Sequence, residues 1–333
     1  MIEIPLSVVL AMVVAIAVVR LGRIGCGLPL WAAYGIAAVL SSAFGLLIQK
    51  VLPRWFVLPE EKQTLGEGFA LIRGTWESWL SPQVGDQWMM GMMVVLFATS
   101  LLLGIFARYF RTVVGGVVVV AILFGLGCLM FQKMLMGSLY FMPTESALSK
   151  AAYVLIPSLV LCLPWLGQWQ WFRRMSLEQD GDLRAGLGLE GDSNVHLLSV
   201  LALTLSGTLL LATSGTLSVA LQLLIFSALP IAWLIEAWLP HRGQSRPLSM
   251  LAARSLAGWL TGSAGLLVVL GHLFAEVELG LAGLYAVSLW WVPWLWPAAT
   301  APTGRKWGLA MLAAAPALIA AGIAAGTMVA AHG

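Results

Sequence analysis

Long apolar runs separated by short polar stretches make up most of this chain. A membrane-spanning helix needs about 20 mostly apolar residues. Ten segments reach or approach that length: Ile4–Leu21, Leu28–Ile48, Trp88–Ala107, Thr112–Phe131, Ala151–Gly167, Val195–Ser214, Leu217–Leu239, Ser255–Ala275, Leu279–Ala298 and Trp307–Ala330. The runs are continuous rather than alternating, which predicts helices and excludes a transmembrane β-barrel. The predicted fold class is all-α, a polytopic transmembrane helical bundle.

The polar passage Gln168–Asn194 divides the pattern, with five apolar segments before it and five after. Five is odd, so the second set must enter the bilayer from the side opposite to the first. The expected organisation is a first half over residues 1–167, a cytoplasmic linker over 168–194 and a second half over 195–333.

Orientation follows from the placement of Lys and Arg, which concentrate in cytoplasmic loops. With the N-terminus outside, the inner loops hold Arg20, Arg23, Arg108, Arg111, Arg173, Arg174, Arg184, Arg242, Arg246, Arg254, Arg305 and Lys306, twelve in all. The outer side holds Lys50, Arg54, Lys62, Arg73, Lys133 and Lys150, which completes the eighteen. The bias holds loop by loop, as ten crossings require and as a missing or extra one would not. Both termini are then outside. The expected location is a cell membrane, the bacterial inner membrane. Met1–Leu6 lacks the positive n-region of a secretory signal, so the first segment reads as a retained span.

Composition agrees. The 333 residues are 60% hydrophobic and 10% charged, with a mean hydropathy of +0.92. Soluble proteins carry about 25% charged residues. The net charge of +3 comes without a basic, aromatic-interleaved cluster, so no nucleic-acid partner is implied. Cys26, Cys128 and Cys162 are isolated and read as packed thiols.

Three polar stretches bear on function. In the outer loop Gln49–Gln87, Phe69, Ile72, Trp76 and Trp79 recur at helical spacing. They predict an amphipathic helix over residues 64–80, lying in the outer headgroup layer, either as a rim cover or as a lid. Trp165, Trp169 and Trp171, and again Trp290, Trp291, Trp294 and Trp296, fall at inner span ends and predict an anchoring belt. Within the linker, Asp180-Gly181-Asp182 lacks the remaining ligands of a calcium loop.

Candidate chemistry is sparse. The turn Ser214-Gly215-Thr216 makes the sixth and seventh spans antiparallel neighbours. Thr204 and Thr208 share a face of the sixth, and Ser218 and Gln222 a face of the seventh. Together with Glu236 near the inner end of the seventh span, they are the candidate pathway for a solute. The plainer readings are interhelical glue and a snorkelling carboxylate paired with Arg242 or Arg246. His272 and Glu276, four residues apart, form a candidate titratable pair at the outer end, too few for a metal site. Small-residue pairs at Gly258/Gly262, Gly322/Gly326 and Ala38/Ser42 predict close helix contacts. The tenth span, rich in Ala and Gly, is expected to be buried or pressed against a partner. Prolines at 157, 164, 230, 293, 297 and 316 predict kinks. Mid-span prolines at matching places in the fifth and tenth spans raise an inverted repeat of the transporter kind, without residue-level similarity between the halves.

No nucleotide loop, zinc-protease, hydrolase or prenyl-diphosphate motif occurs, and no cofactor is implied. Three function classes follow: a carrier of a small solute or lipid, which this reading places first; a non-catalytic subunit or scaffold of a larger membrane complex; and an intramembrane lipid-modifying enzyme. The expected partners are the lipid bilayer and either a membrane protein or a second copy of the chain.

Overall fold

The computed structural model describes residues 3–24, 36–37, 39–40, 92–100, 112–136, 147–178, 194–238, 250–274, 277–296 and 302–332. Among these residues every regular element is a helix. They are α1 (Glu3–Ile24), α2 (Val113–Met136), α3 (Ala147–Glu178), α4 (Asn194–Thr213), α5 (Leu217–Trp238), α6 (Met250–Phe274), α7 (Leu279–Trp294) and α8 (Thr303–His332), with a further helical stretch over 92–100. Five runs within them are long and apolar enough to cross a bilayer: Val113–Met134, Leu148–Arg174, Val195–Thr213, Ala257–Phe274 and Thr303–Ala330. The apolar parts of α1, α5 and α7 are shorter. The amphipathic segment expected over 64–80, Ala38/Ser42 and Cys26 lie outside the described residues.

Local chemistry sets several helix ends. Thr112 caps α2: its hydroxyl accepts the Gly115 N–H at 2.9 Å and its carbonyl accepts the Gly116 N–H at 3.0 Å. The α4–α5 turn closes on Gly215, whose φ of 84° is the left-handed conformation that glycine adopts without penalty. Gly215 N–H then reaches the Ala212 carbonyl at 3.3 Å and Thr216 N–H the Leu211 carbonyl at 3.2 Å. The Ser214 and Thr216 hydroxyls both donate to that Leu211 oxygen at 2.9 Å, so the turn satisfies its own polar groups.

α3 runs on to Glu178 instead of stopping near Gly167. The opening residues of the expected linker are thus helical, and Gln168 is buried. Hydropathy ended this span too early because Gln168 and Gln170 are polar, yet both find partners inside the protein.

α6 is the central element: 83% of Ala257–Phe274 is enclosed, against 22% of the α2 span. It packs on α3, α4, α5 and α7. Gly262 leaves room for the Trp165 ring and for Leu96 of the 92–100 stretch. Phe97 meets Trp259 edge-on at 5.2 Å between ring centroids. On one flank α2 lies antiparallel to α3: Gly116 faces Trp169, and Gly127 faces Ser158. On the other, α1 meets α5 through Ala11, Ile225 and Ala228.

The contacts do not reproduce the two-fold relationship expected of an inverted repeat. Helix α3, from the fifth segment, packs broadly on α7, from the ninth; its symmetry counterpart would be α2, from the fourth, on α8, from the tenth, and no comparable contact exists there among the described residues. Similarly, α4 packs extensively on α8, whereas among the described residues α1 makes no comparable contact with α3.

Candidate functional site

The ends of α3 and α7 and the start of α4 converge at one end of the bundle. The contact is close because Gly167 lies against the backbone of Trp290; a Cβ there would sit 2.4 Å from the Trp290 carbonyl oxygen. The Trp171 indole N–H donates to the Trp296 carbonyl at 2.5 Å, and the Arg174 guanidinium donates to the same oxygen at 3.2 Å. The Trp296 ring stacks on His196, with centroids 4.9 Å apart and planes at 29°. The Trp290 indole donates to Gln170 Oε1 at 2.9 Å and stacks on Trp294 at 5.2 Å. Arg173 lies over the Trp169 ring, 5.9 Å from its centroid.

The tryptophans expected as an anchoring belt are therefore divided. Trp165, Trp171 and Trp296 are buried within the protein, while Trp169, Trp290, Trp291 and Trp294 are half-buried. Hydropathy places such rings at a span end, but only helix packing decides whether they face lipid or one another. His196 and Gln168 were not singled out by sequence; their signal is a polar residue adjoining an apolar run. Gln168 fits because α6 offers Gly258 opposite it, where a Cβ would fall 2.1 Å from the amide nitrogen.

The candidate pathway residues are placed as follows. Thr204 is fully buried, and its hydroxyl donates to the Leu201 carbonyl at 3.0 Å. The Thr208 hydroxyl donates to the Thr204 carbonyl at 2.9 Å. Both bond their own helix. Ser199, Ser206, Ser227 and Thr261 do likewise, to carbonyls three or four residues back. Gln222 is half-buried in α5 without a hydrogen-bond partner among the described residues. Ser218 and Glu236 lie on α5, but their side chains are outside the described residues. His272 ends α6, its Nδ1 2.6 Å from the Val277 carbonyl oxygen, so the ring carries a proton on Nδ1 to make that bond. Glu276 lies outside the described residues. Among the described residues no three His, Cys, Asp or Glu side chains come together.

Two buried polar links on α7 join this face to the rest. The Tyr285 hydroxyl donates to the Leu203 carbonyl at 2.9 Å, in a space left by Gly207. The Ser288 hydroxyl accepts the backbone N–H of Ala317 at 3.0 Å. Neither stood out in the sequence, because a lone Tyr or Ser in a long apolar run carries no spacing signal.

The two GxxxG pairs have opposite fates. Gly258 and Gly262 receive Gln168 and Trp165 of α3, whereas Gly304, Gly308, Gly322 and Gly326 of α8 have nothing within 4 Å of an added Cβ among the described residues. Intervals of four and fourteen residues put these α8 glycines on one side of the helix, beside exposed Met311, Ile319 and Val329. The opposite side of α8 packs on α4 and α7.

Helices of this length and apolarity, with Val, Leu and Ile exposed along α2, α3 and α8, fit an integral membrane protein of the helical class. No protein-family model, curated protein or solved structure matches the chain.

Proposed function

We propose that this protein spans the bacterial inner membrane about ten times, with both termini outside, and serves as a non-catalytic subunit or scaffold of a membrane assembly. The observation carrying this reading is the outward face of α8: four glycines that meet nothing among the described residues, on a helix whose other side is packed into the bundle. Small residues promote helix association in lipid by letting backbones approach. The bundle's hydroxyls add to it, since those of Thr204, Thr208, Ser199, Ser206, Ser227 and Thr261 are each taken up by their own helix rather than directed at a solute.

The test is the particle mass of the full chain extracted in a mild detergent. Wild type is expected to run well above the 35.7 kDa of one chain. Gly322→Leu with Gly326→Leu is expected to run as a single chain with unchanged thermal stability, because the added side chains meet nothing within the bundle. A wild type that runs as one chain overturns the reading.

The carrier reading draws support from Gln222, a large polar side chain half-buried in α5 with no partner among the described residues. It requires that Gln222→Leu abolish solute movement in proteoliposomes while expression stays normal.

A further inference from the structure

We propose that the N-terminus of α8 binds a phosphate group, held by the backbone N–H groups of Thr303, Gly304 and Arg305 together with the Lys306 ammonium. The site goes beyond the subunit reading and does not depend on it.

Lys306 is only 7% exposed, and no hydrogen bond or ion pair reaches its side chain among the described residues. Burying a lysine without a counter-charge is costly. Its place on the helix explains the burial. Lys306 begins the stripe Ala310, Ala313, Ala317, Ala320 and Ala324, which recurs every three or four residues and is buried throughout. That side of α8 packs on α4 and α7, so the methylene stem fills the foot of a seam. Helical side chains lean back over the preceding turn, which carries the ammonium toward the helix start. Its Nζ is not fully enclosed there.

The helix start has donors of its own to satisfy. The first rung of α8 is the Lys306 N–H on the Pro302 carbonyl, at 3.1 Å. The N–H groups of Thr303, Gly304 and Arg305 precede it and have no acceptor within the helix. All three residues are exposed. The first turn holds no acidic residue. It holds two cations instead, at the end of the helix where the macrodipole opposes positive charge. A Cβ on Gly304 would meet nothing among the described residues, and glycine lets a ligand come close to the backbone.

An oxyanion answers the buried cation and the free amides together. Helix N-termini bind phosphate through such N–H groups and the dipole, and lysine adds a point charge. A cation that only set orientation would serve as well in water, where Arg305 lies; the burial of Lys306 is what points to a ligand. The phosphate has two sources, a phospholipid headgroup and the free anion. Exposed Trp307 and Met311 lie on the Gly304 side of α8, which puts apolar surface beside the site and suits a headgroup.

The test measures the melting temperature of the purified full chain in detergent with added phosphatidylglycerol, diacylglycerol, inorganic phosphate or chloride at equal ionic strength. Phosphatidylglycerol or inorganic phosphate is expected to raise the wild-type value by about 3 °C or more at saturation. Diacylglycerol and chloride should leave it within about 1 °C. Lys306→Met should lose the increment. Thr303→Pro removes one N–H and the hydroxyl, yet proline suits the first helical position, so this variant should fold and lose at least half. Should Lys306→Met fail to fold, Thr303→Pro decides alone. Arg173→Gln, which removes one charge from the end of α3, should keep the increment. No increment from either phosphate source in wild type would overturn the site. So would a full increment in Lys306→Met or Thr303→Pro, or an equal loss in Arg173→Gln. An increment from phosphatidylglycerol alone assigns the headgroup, and a matching one from inorganic phosphate assigns the free anion.

Discussion

The Ser288 hydroxyl on α7 accepts the backbone N–H of Ala317 on α8 at 3.0 Å, one residue past Pro316. Proline has no N–H and its ring displaces the carbonyl four residues earlier, so the helix ladder is disturbed at this point. In a membrane such a disturbance is tolerated when a neighbouring side chain takes up the backbone group. Ser288 does this from a fully buried position. Ser288→Ala should cost about 1 kcal/mol of stability. In a Pro316→Ala background the ladder can close on itself, so the same change should cost clearly less. Thermal unfolding in detergent, run as a double-mutant cycle, measures the coupling; purely additive losses would refute it.

Tyr285 and Gly207 should be coupled as well. A Cβ at position 207 would lie 2.6 Å from the Tyr285 hydroxyl and 2.6 Å from Leu223. Gly207→Ala should destabilise by about 1–3 kcal/mol through overpacking. Tyr285→Phe alone should cost about 1 kcal/mol, the loss of its bond to Leu203. In combination the Phe should relieve part of the Ala clash, giving a smaller loss than the sum. The check is again the midpoint of unfolding.

Glycine substitutions should separate by neighbour rather than by sequence. Gly167→Ala would press on the Trp290 backbone, which has nowhere to go, and should lower stability by about 1–3 kcal/mol. Gly125→Ala meets nothing among the described residues and should be neutral, or stabilising by up to about 1 kcal/mol from helix propensity. A stable Gly167→Ala protein would mean that α3 and α7 do not approach as closely as described.

Orientation has its own check. A reporter active only outside the cytoplasm should be silent when fused at Gly186 and active at Gly333. Both fusions active, or both silent, would remove the five-plus-five arrangement.

Much of the helical architecture was legible along the chain, because apolar length is a local property. Eight of the ten expected segments coincide with the named helices, and the other two contain helical residues among those described. The Ser214-Gly215-Thr216 turn was equally legible: glycine tolerates the left-handed conformation, and three residues can only reverse the chain. The candidate site was legible only as parts. Trp171, Trp296 and Arg174 each marked a span end, but nothing in their spacing said that two of them would share one carbonyl oxygen.

Sequence alone decided where the chain becomes helical and which stretches are apolar enough for lipid, since both follow from the hydropathy and backbone preferences of consecutive residues. Tertiary structure alone decided which way each face turns. Lipid tails and protein interior are equally apolar, so hydrophobic pattern does not tell a membrane helix where its neighbours are. That is why one glycine pair, Gly258/Gly262, encloses Gln168 and Trp165 while its twin in spacing, Gly322/Gly326, meets nothing among the described residues.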